Sequence, residues 1–214
     1  MVTVFDLDDT LYDEIDFVKS GFWAVASSIS NVPQEPFDFM WNLFLKEGSG
    51  SIFNKLIEHF HLQISIEFLI LTYRTHTPNI TLADETIILL NKAKSFGSTA
   101  LITDGMAQMQ IQKFNVLGLS KWIDYPIFTD LYNTSKPNPL PFEMVMKHFK
   151  NENKFIYCSD NPKKDFFAPN QLDWLTIRYK NSYGIYRDIL SNATYETTSR
   201  LAIIPLIQNY LFEK

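Results

Sequence analysis

The alternation of strand-like and helix-like segments after residue 82 is the feature that most restricts how this chain can fold. Short apolar runs alternate there with segments whose apolar residues recur every three or four positions. The predicted segments are, in order, the helix DETIILLNKAKSF, with Asp84 as N-cap and Gly97 at its end, the strand STALIT, the helix MQIQKFNVLGL, the strand YPIFT, the helix LPFEMVMKHFK, and the strands KFIYCS and WLTIRY. This order predicts an α/β fold, a Rossmann-like parallel sheet with helices on both faces, because parallel strands need crossover connections.

The first strand of that sheet is separated from the others by a long helical stretch. The run VTVF at residues 2–5 is continuously apolar, which is typical of a strand buried on both faces. Apolar residues then recur at helical spacing from Ile15 to Ile29, and similar helical patterns continue up to Pro78. We therefore expect an α/β core of residues 1–14 and 78–214, interrupted by a small all-helical cap domain of residues 15–77.

The composition argues against several classes of protein. A net charge of −5 provides no basic surface for nucleic acid. The single cysteine, Cys158, cannot form an internal disulfide, and its place in a buried strand predicts an inert apolar side chain. No leader-like segment and no apolar run of membrane-spanning length is found in the sequence, so we expect a cytoplasmic protein without a membrane partner. The oligomeric state stays open.

Polar side chains follow several of the predicted strands at the point where each strand ends. In an open parallel sheet the ligand site lies at the carboxyl ends of the strands, so these residues are expected to meet at one edge. They are Asp6 and Asp8 after the first strand, Thr103, Asp104 and Gly105 after STALIT, Lys136 before the LPFEMVMKHFK helix, and Asp160 and Asp165 after KFIYCS.

This set of residues favours the chemistry of phosphoryl transfer. Carboxylates from two strand ends form an oxygen-rich site for Mg²⁺, which also offsets the repulsion within the DLDD segment. Lys136 and the Thr103 hydroxyl suit the oxygens of a phosphate, and the backbone N–H groups of Asp104 and Gly105 add donors. Positioning and charge stabilisation account for most of the catalysis in such a reaction.

The segments DLDDT, LITDG, SKP and SDNPKKD resemble, in order and approximate spacing, the four motifs of the haloacid dehalogenase superfamily. The resemblance covers the whole chain and implies a phosphatase-type member whose helical cap is inserted after the first motif. The resemblance is consistent with Mg²⁺ as cofactor, and the size of the helical insertion, as a lid over the site, suggests a small phosphorylated metabolite as substrate. Ser159 stands where many relatives have glycine, and Asp104 replaces a frequent asparagine.

The resemblance assigns a role to each motif residue. Asp6 is the nucleophile that becomes an aspartyl phosphate. Asp8 protonates the leaving alcohol and later activates water, and its neighbours are expected to help hold a proton there. The Asp6 carboxylate, the Asp8 backbone carbonyl and Asp160 bind Mg²⁺. Asp165 lies behind these ligands or orients Lys136, which binds the phosphoryl oxygens together with Thr103.

Simpler interpretations of the acidic run are a helix cap and a calcium loop. We expect Asp9 to cap the following helix, because its position has the wrong phase to share the site of Asp6 and Asp8. A calcium loop is excluded, since Leu11 stands where the turn glycine is required and Phe17 where the bidentate glutamate is required.

The reaction and the substrate are only partly restricted by the sequence. Asp8 favours phosphate-ester hydrolysis, because dehalogenating members need no acid at that position. A phosphomutase would keep Asp8 as well, and a catalytically silent phosphate-binding or regulatory protein is an alternative of another class. In the helical insertion, Arg74 is a candidate for contact with an anionic group of the substrate, or for a plain salt bridge.

Overall fold

The computed structural model describes residues 1–212 and contains one six-stranded sheet, with all five strand pairs parallel. The strands are β1 (Val2–Phe5), β2 (Ser98–Thr103), β3 (Tyr125–Phe128), β4 (Phe155–Ser159), β5 (Leu175–Tyr179) and β6 (Tyr195–Thr197). Their order across the sheet is β3-β2-β1-β4-β5-β6. The chain therefore builds outward from β1 on one side and then returns to place β4 on the other side. The switch in strand order, where ligand sites of such sheets form, lies at β1.

Nine α-helices accompany the sheet in the described part of the chain. They are α1 (Glu14–Ile29), α2 (Gln34–Glu47), α3 (Ile52–His59), α4 (Ile66–Thr75), α5 (Asp84–Phe96), α6 (Ala107–Val116), α7 (Leu140–His148), α8 (Phe167–Gln171) and α9 (Ile203–Phe212). The predicted α/β fold with a parallel sheet is confirmed. None of the helices within residues 1–212 is long and apolar enough to span a membrane.

The chain divides into two compact units. One consists of residues 1–14 and 81–212 and contains the sheet, and the other consists of residues 15–80 and is entirely helical. Each unit has its own buried apolar cluster, built around the sheet in the first unit and around Phe22, Met40 and Leu56 in the second. The observed boundaries lie within three residues of the expected 1–14, 78–214 and 15–77.

Several local features differ from the sequence predictions or go beyond them. Helix α5 begins at Asp84, so Ala83 is the cap residue and Asp84 contributes its charge to the first turn instead. The short helix α8, the edge strand β6 and the final helix α9 were not predicted. Strand β6 has only three residues, two of them exposed, so it lacks the apolar pattern that identifies the buried strands.

Gly97, between α5 and β2, is required because two backbone segments approach each other closely there. A Cβ atom at this position would lie 2.3 Å from the carbonyl oxygen of Met1, which also accepts the N–H of Ser98 at 3.1 Å. We expect Gly97→Ala to lower the free energy of unfolding by roughly 1–3 kcal/mol, since the backbone must shift to relieve the clash.

Thermal unfolding monitored by circular dichroism measures this effect. Gly50→Ala is the matched control, because a Cβ there meets nothing within 4 Å. Equal melting temperatures for Gly97→Ala and the unsubstituted chain would show that the close backbone approach does not require glycine at this position.

Candidate active site

Three neighbouring strands deliver the polar residues to one edge of the sheet. Phe5, the last residue of β1, is in register with Leu101 of β2 and with Cys158 of β4. Asp6 therefore leaves the sheet between Thr103 on one side and Asp160 on the other. Most of the residues that the sequence singled out are brought together because β1 lies between β2 and β4, and Lys136 joins them from the segment before α7.

A fully buried lysine lies at the centre of this edge. The Lys136 Nζ atom is 2.6 Å from Asp6 Oδ1, 2.9 Å from Asp165 Oδ1 and 3.0 Å from the Tyr157 hydroxyl oxygen. The side chains of Lys136 and Asp165 are completely excluded from solvent. Burying an ammonium group is costly unless carboxylates compensate it, and here two carboxylates do so.

Asp165 is held against the lysine by its own neighbours. The Ser159 hydroxyl and the backbone N–H of Asn161, at 3.2 Å, both donate to Asp165 Oδ2, which leaves Oδ1 directed at Lys136. Asp165 Oδ1 therefore forms an ion pair with the Lys136 ammonium group. Serine in place of the frequent glycine supplies one of these donors.

The acidic groups at this edge, those of Asp6, Asp160 and Asp165, outnumber the Lys136 ammonium group. Burial is the largest effect on Asp6 and raises its pKa to about 7, with Lys136 opposing and Asp165 adding to the shift. Burial, together with Asp6 and Asp165, raises the pKa of Asp160 to about 9. Burial alone would lower the pKa of Lys136, but Asp165 and Asp6 keep it well above its usual value. A site with this charge excess favours a further cation.

The oxygen atoms of Asp6, Asp160 and Asp165 can supply that cation's ligands. One carboxylate oxygen from each lies within 4.8 Å of the others, and all three residues are buried. Carboxylate oxygens are the ligands that hard divalent cations such as Mg²⁺ prefer, so the donor set fits this metal. The expected set contained Asp6, Asp160 and the backbone carbonyl of Asp8, with Asp165 behind them.

Asp8 has different neighbours from Asp6. Its Oδ1 atom accepts hydrogen bonds from the Tyr12 hydroxyl and from Lys113 Nζ at 2.7 Å, and Oδ2 accepts one from Gln110 Nε2 at 2.7 Å. Burial would raise the pKa of Asp8, but Lys113, Tyr12 and Gln110 together hold it below its usual value. The expectation that the neighbours hold a proton on Asp8 is therefore wrong for the protein alone, because all three donate to the ionised carboxylate.

Thr103 and Gly105 form the exit from β2. Gln110 Nε2 lies 2.6 Å from Thr103 Oγ1, and the Thr103 side chain is buried. Gly105 has a φ of +117°, a conformation that strongly favours glycine, so the chain can turn there into α6. This turn places the start of α6 beside the ends of β1 and β2.

Comparison with known protein families identifies the family of this chain. The model of the haloacid dehalogenase-like hydrolases matches residues 3–173, about four fifths of the chain. The chain belongs to this hydrolase family. The resemblance stated from the four motifs is thereby confirmed.

Individual relatives of this haloacid dehalogenase-like hydrolase match along almost the whole chain. A glyceraldehyde 3-phosphate phosphatase from Methanocaldococcus jannaschii is 27% identical over 223 aligned positions, which cover 96% of each protein. A β-phosphoglucomutase candidate from Thermotoga maritima has a TM-score of 0.71 at 18% identity, with 97% of this chain and 98% of that one covered. A candidate hydrolase of the superfamily from Bacillus subtilis, bound to magnesium, has a TM-score of 0.69 at 15% identity, covering 96% and 97%. The solved structures confirm the fold, and the family match and the phosphatase relative support an enzyme of the phosphatase type.

In this haloacid dehalogenase-like hydrolase both oxygen atoms of the Asp104 carboxylate accept hydrogen bonds from the protein. Its Oδ1 accepts hydrogen bonds from Thr129 Oγ1 at 2.9 Å and from the backbone N–H of Lys136 at 3.2 Å, and Oδ2 pairs with Lys164 Nζ at 2.8 Å. Burial would raise the pKa of Asp104, but Lys136 and Lys164 lower it. The negative charge that replaces the frequent asparagine is thus neutralised by the protein.

Asp9 caps α1, as predicted. Its Oδ1 accepts the backbone N–H of Glu14, the first residue of the helix, at 3.0 Å, and also a hydrogen bond from Asn181 Nδ2 at 3.0 Å. Asp9 has a φ of +54°, which turns its side chain away from the alternation followed by Asp6 and Asp8.

Arg74 lies at the wall of a cavity of about 340 Å³ within the helical unit. The cavity is lined mainly by apolar and aromatic side chains, with polar groups contributed by Ser49, Ser51 and Asn54. Within residues 1–212, no carboxylate pairs with the Arg74 guanidinium, so the plain salt bridge considered from the sequence is not observed.

Several residues of the site were missed by sequence reasoning. Tyr12, Gln110, Lys113 and Lys164 all contact motif residues, although none of them directly follows a strand. Gln110 and Lys113 carried one recognisable signal, because two polar residues three positions apart share a face of a helix that starts just after LITDG.

The charge excess leads to a prediction about magnesium and stability. We expect Mg²⁺ to raise the melting temperature of the unsubstituted chain at pH 7 and Asp160→Asn to lose most of that increase, because one metal ligand becomes neutral. Without metal, Asp160→Asn should be at least as stable as the unsubstituted chain. A buried aspartate with a raised pKa destabilises the fold once the pH exceeds the pKa of the unfolded chain, and asparagine removes that cost.

Differential scanning fluorimetry with EDTA or Mg²⁺ tests both statements. Asp188→Asn is the control, because the Asp188 side chain is 96% exposed. The same magnesium-dependent increase in all three proteins would argue against the assigned ligands.

Proposed function

We propose that this protein is a Mg²⁺-dependent hydrolase of small phosphate monoesters that works through an aspartyl phosphate on Asp6. The observation that carries the proposal is the separation of two neighbouring carboxylates into different environments. Asp6 faces Lys136 and Asp165, whereas Asp8, two residues later, faces Lys113. Pairs of carboxylates with divergent environments are typical of sites that divide nucleophilic and acid–base work.

In the first half-reaction, an Asp6 carboxylate oxygen attacks the phosphorus atom and the bond to the leaving oxygen breaks. The Lys136 ammonium and the Thr103 hydroxyl bind the phosphoryl oxygens, and the proton of Asp8 passes to the departing alkoxide. Asp8 must therefore be protonated when substrate is bound. A phosphate dianion beside it provides the required change, because like-charge repulsion raises a carboxyl pKa and opposes the effect of Lys113.

In the second half-reaction, Asp8 accepts a proton from water as the water oxygen attacks phosphorus. The bond between phosphorus and the Asp6 oxygen breaks, which releases inorganic phosphate and regenerates the Asp6 carboxylate. Asp6, Asp160 and the backbone carbonyl of Asp8 would hold Mg²⁺, with Asp165 beside them. When bound, the metal ion supplies positive charge that reduces repulsion between the anionic nucleophile and the phosphate.

The comparisons support a small phosphorylated metabolite as the substrate. The relative from Methanocaldococcus jannaschii is named for glyceraldehyde 3-phosphate, and it aligns with this chain over almost its whole length. Its substrate therefore leads the set of phosphate esters to be assayed, ahead of sugar phosphates, nucleotides and phospho-acids.

Phosphate release from that set of esters, with Mg²⁺ or EDTA, tests the proposal. We expect metal-dependent release for the unsubstituted chain and a loss of at least about a thousandfold for Asp6→Asn, because the amide cannot form the covalent intermediate. Asp188→Asn should keep full activity, since its side chain is exposed.

Two results would contradict the proposed hydrolysis. An isomerised sugar phosphate formed without net phosphate release would identify a phosphomutase. Phosphate binding without turnover in the folded protein would identify the catalytically silent alternative.

Arg74 is proposed to bind an anionic group of the substrate, because its guanidinium lies at the wall of a cavity and no carboxylate among residues 1–212 pairs with it. We expect Arg74→Met to lower kcat/KM by roughly 10–100-fold for substrates with a carboxylate or second phosphate, since charge-assisted hydrogen bonds are worth about 1.5–3 kcal/mol. Substrates whose leaving group is neutral should be much less affected.

Steady-state kinetics on matched pairs of substrates measure this difference. Arg187→Met serves as control, because Arg187 is an exposed arginine of the other unit. Equal losses on charged and neutral substrates would exclude the assigned role.

A further inference from the structure

Two side chains of α6 are directed at the motif residues without being motif residues themselves. Gln110 and Lys113 are each only 2% exposed. They are three residues apart, so they lie on the same face of the helix. Long polar side chains are rarely buried in this way unless specific partners compensate them, which makes their contacts informative.

The amide of Gln110 links the ends of two strands. Its Nε2 atom lies 2.7 Å from Asp8 Oδ2, 2.6 Å from Thr103 Oγ1 and 2.8 Å from the backbone oxygen of Asp104. A carboxylate and a backbone carbonyl cannot donate, so the NH₂ group must face this cluster. With Gln110 donating to its oxygen, the Thr103 hydroxyl keeps its own hydrogen for another acceptor.

Lys113 holds the other oxygen of the same carboxylate. Its Nζ atom is 2.7 Å from Asp8 Oδ1 and 3.8 Å from Glu14 Oε1, and its side chain is 3% exposed. The Tyr12 hydroxyl also donates to Asp8 Oδ1. Donors on both oxygens fix the plane of the Asp8 carboxyl group, because rotation about its terminal bond would break a contact on either side.

We infer that Gln110 and Lys113 are positioning residues, which aim the Asp8 carboxyl at the leaving oxygen and the Thr103 hydroxyl at a phosphoryl oxygen. This inference rests on the proposed phosphatase activity and deepens it. Proton transfer depends steeply on alignment, so a carboxyl group free to rotate would lose much of its catalytic effect.

The dependence of the rate on the leaving group separates positioning from a merely structural role. Glycerol 3-phosphate releases a basic alkoxide that needs a proton, whereas 4-nitrophenyl phosphate releases a stable phenolate that does not. The ratio kcat/KM covers the steps up to departure of the leaving group, so it isolates the acid step from later hydrolysis.

We expect Gln110→Met and Lys113→Met to lower kcat/KM for glycerol 3-phosphate about tenfold or more beyond any loss on 4-nitrophenyl phosphate, within the range that general acids contribute. Lys113→Arg should recover part of the loss, because it keeps a cationic donor. The exposed residues of the same types, Gln108→Met in α6 and Lys92→Met in α5, serve as matched controls and should match the unsubstituted chain.

Each outcome has a distinct meaning. Equal losses on the two esters would overturn the positioning role toward Asp8, because a smaller folded fraction or a displaced Thr103 hydroxyl lowers both rates alike. If Lys113→Met fails to fold, Gln110→Met, which removes no charge, decides the question. Absence of turnover on either ester by the unsubstituted chain would overturn the proposed function, and the inference with it.

Discussion

The ammonium group of Lys136 is the interaction on which the active-site edge depends. A fully buried lysine is tolerated only when anions surround it, and Asp6 and Asp165 meet that requirement. Asp165 is in turn fixed by Ser159 and by the backbone of Asn161. The end of β1, the end of β4 and the segment before α7 thus converge on a single charge. The positions of these three chain segments and the electrostatics of the site therefore depend on each other.

This arrangement also gives the two neighbouring carboxylates, Asp6 and Asp8, different chemical environments. Asp6 and Asp8 are two residues apart, but the main influences on the pKa of each carboxylate, apart from burial, are different side chains. Lys136 comes from the segment before α7, whereas Lys113 comes from α6, so each carboxylate has its own counter-ion. Two carboxyl groups can take different chemical roles only when their environments differ, and here different parts of the chain provide those environments.

The sequence predicted the features that depend on local pattern or on strand ends. The alternation of strands and helices predicted the parallel sheet, and the exits of β1, β2 and β4 predicted which side chains share an edge. The phase of Asp9 was sufficient to predict its capping role. Contacts that depend on tertiary packing could not be predicted from the sequence. Examples are the ion pair between Asp104 and Lys164 and the hydrogen bond from Gln110 to Asp8. These depend on the position of each helix axis, which no spacing rule specifies.

The central place of β1 in the sheet has a consequence for how the molecule assembles. Residues 2–5 pair with residues 98–101 and 155–158, so both partners of the first strand lie far along the chain. Contacts of such long sequence separation form late, after the loops between them have closed. During synthesis the helical unit can collapse on its own apolar cluster well before β4 has left the ribosome. Asp6 directly follows the first strand, so the site forms only after β2 and β4 have paired with that strand.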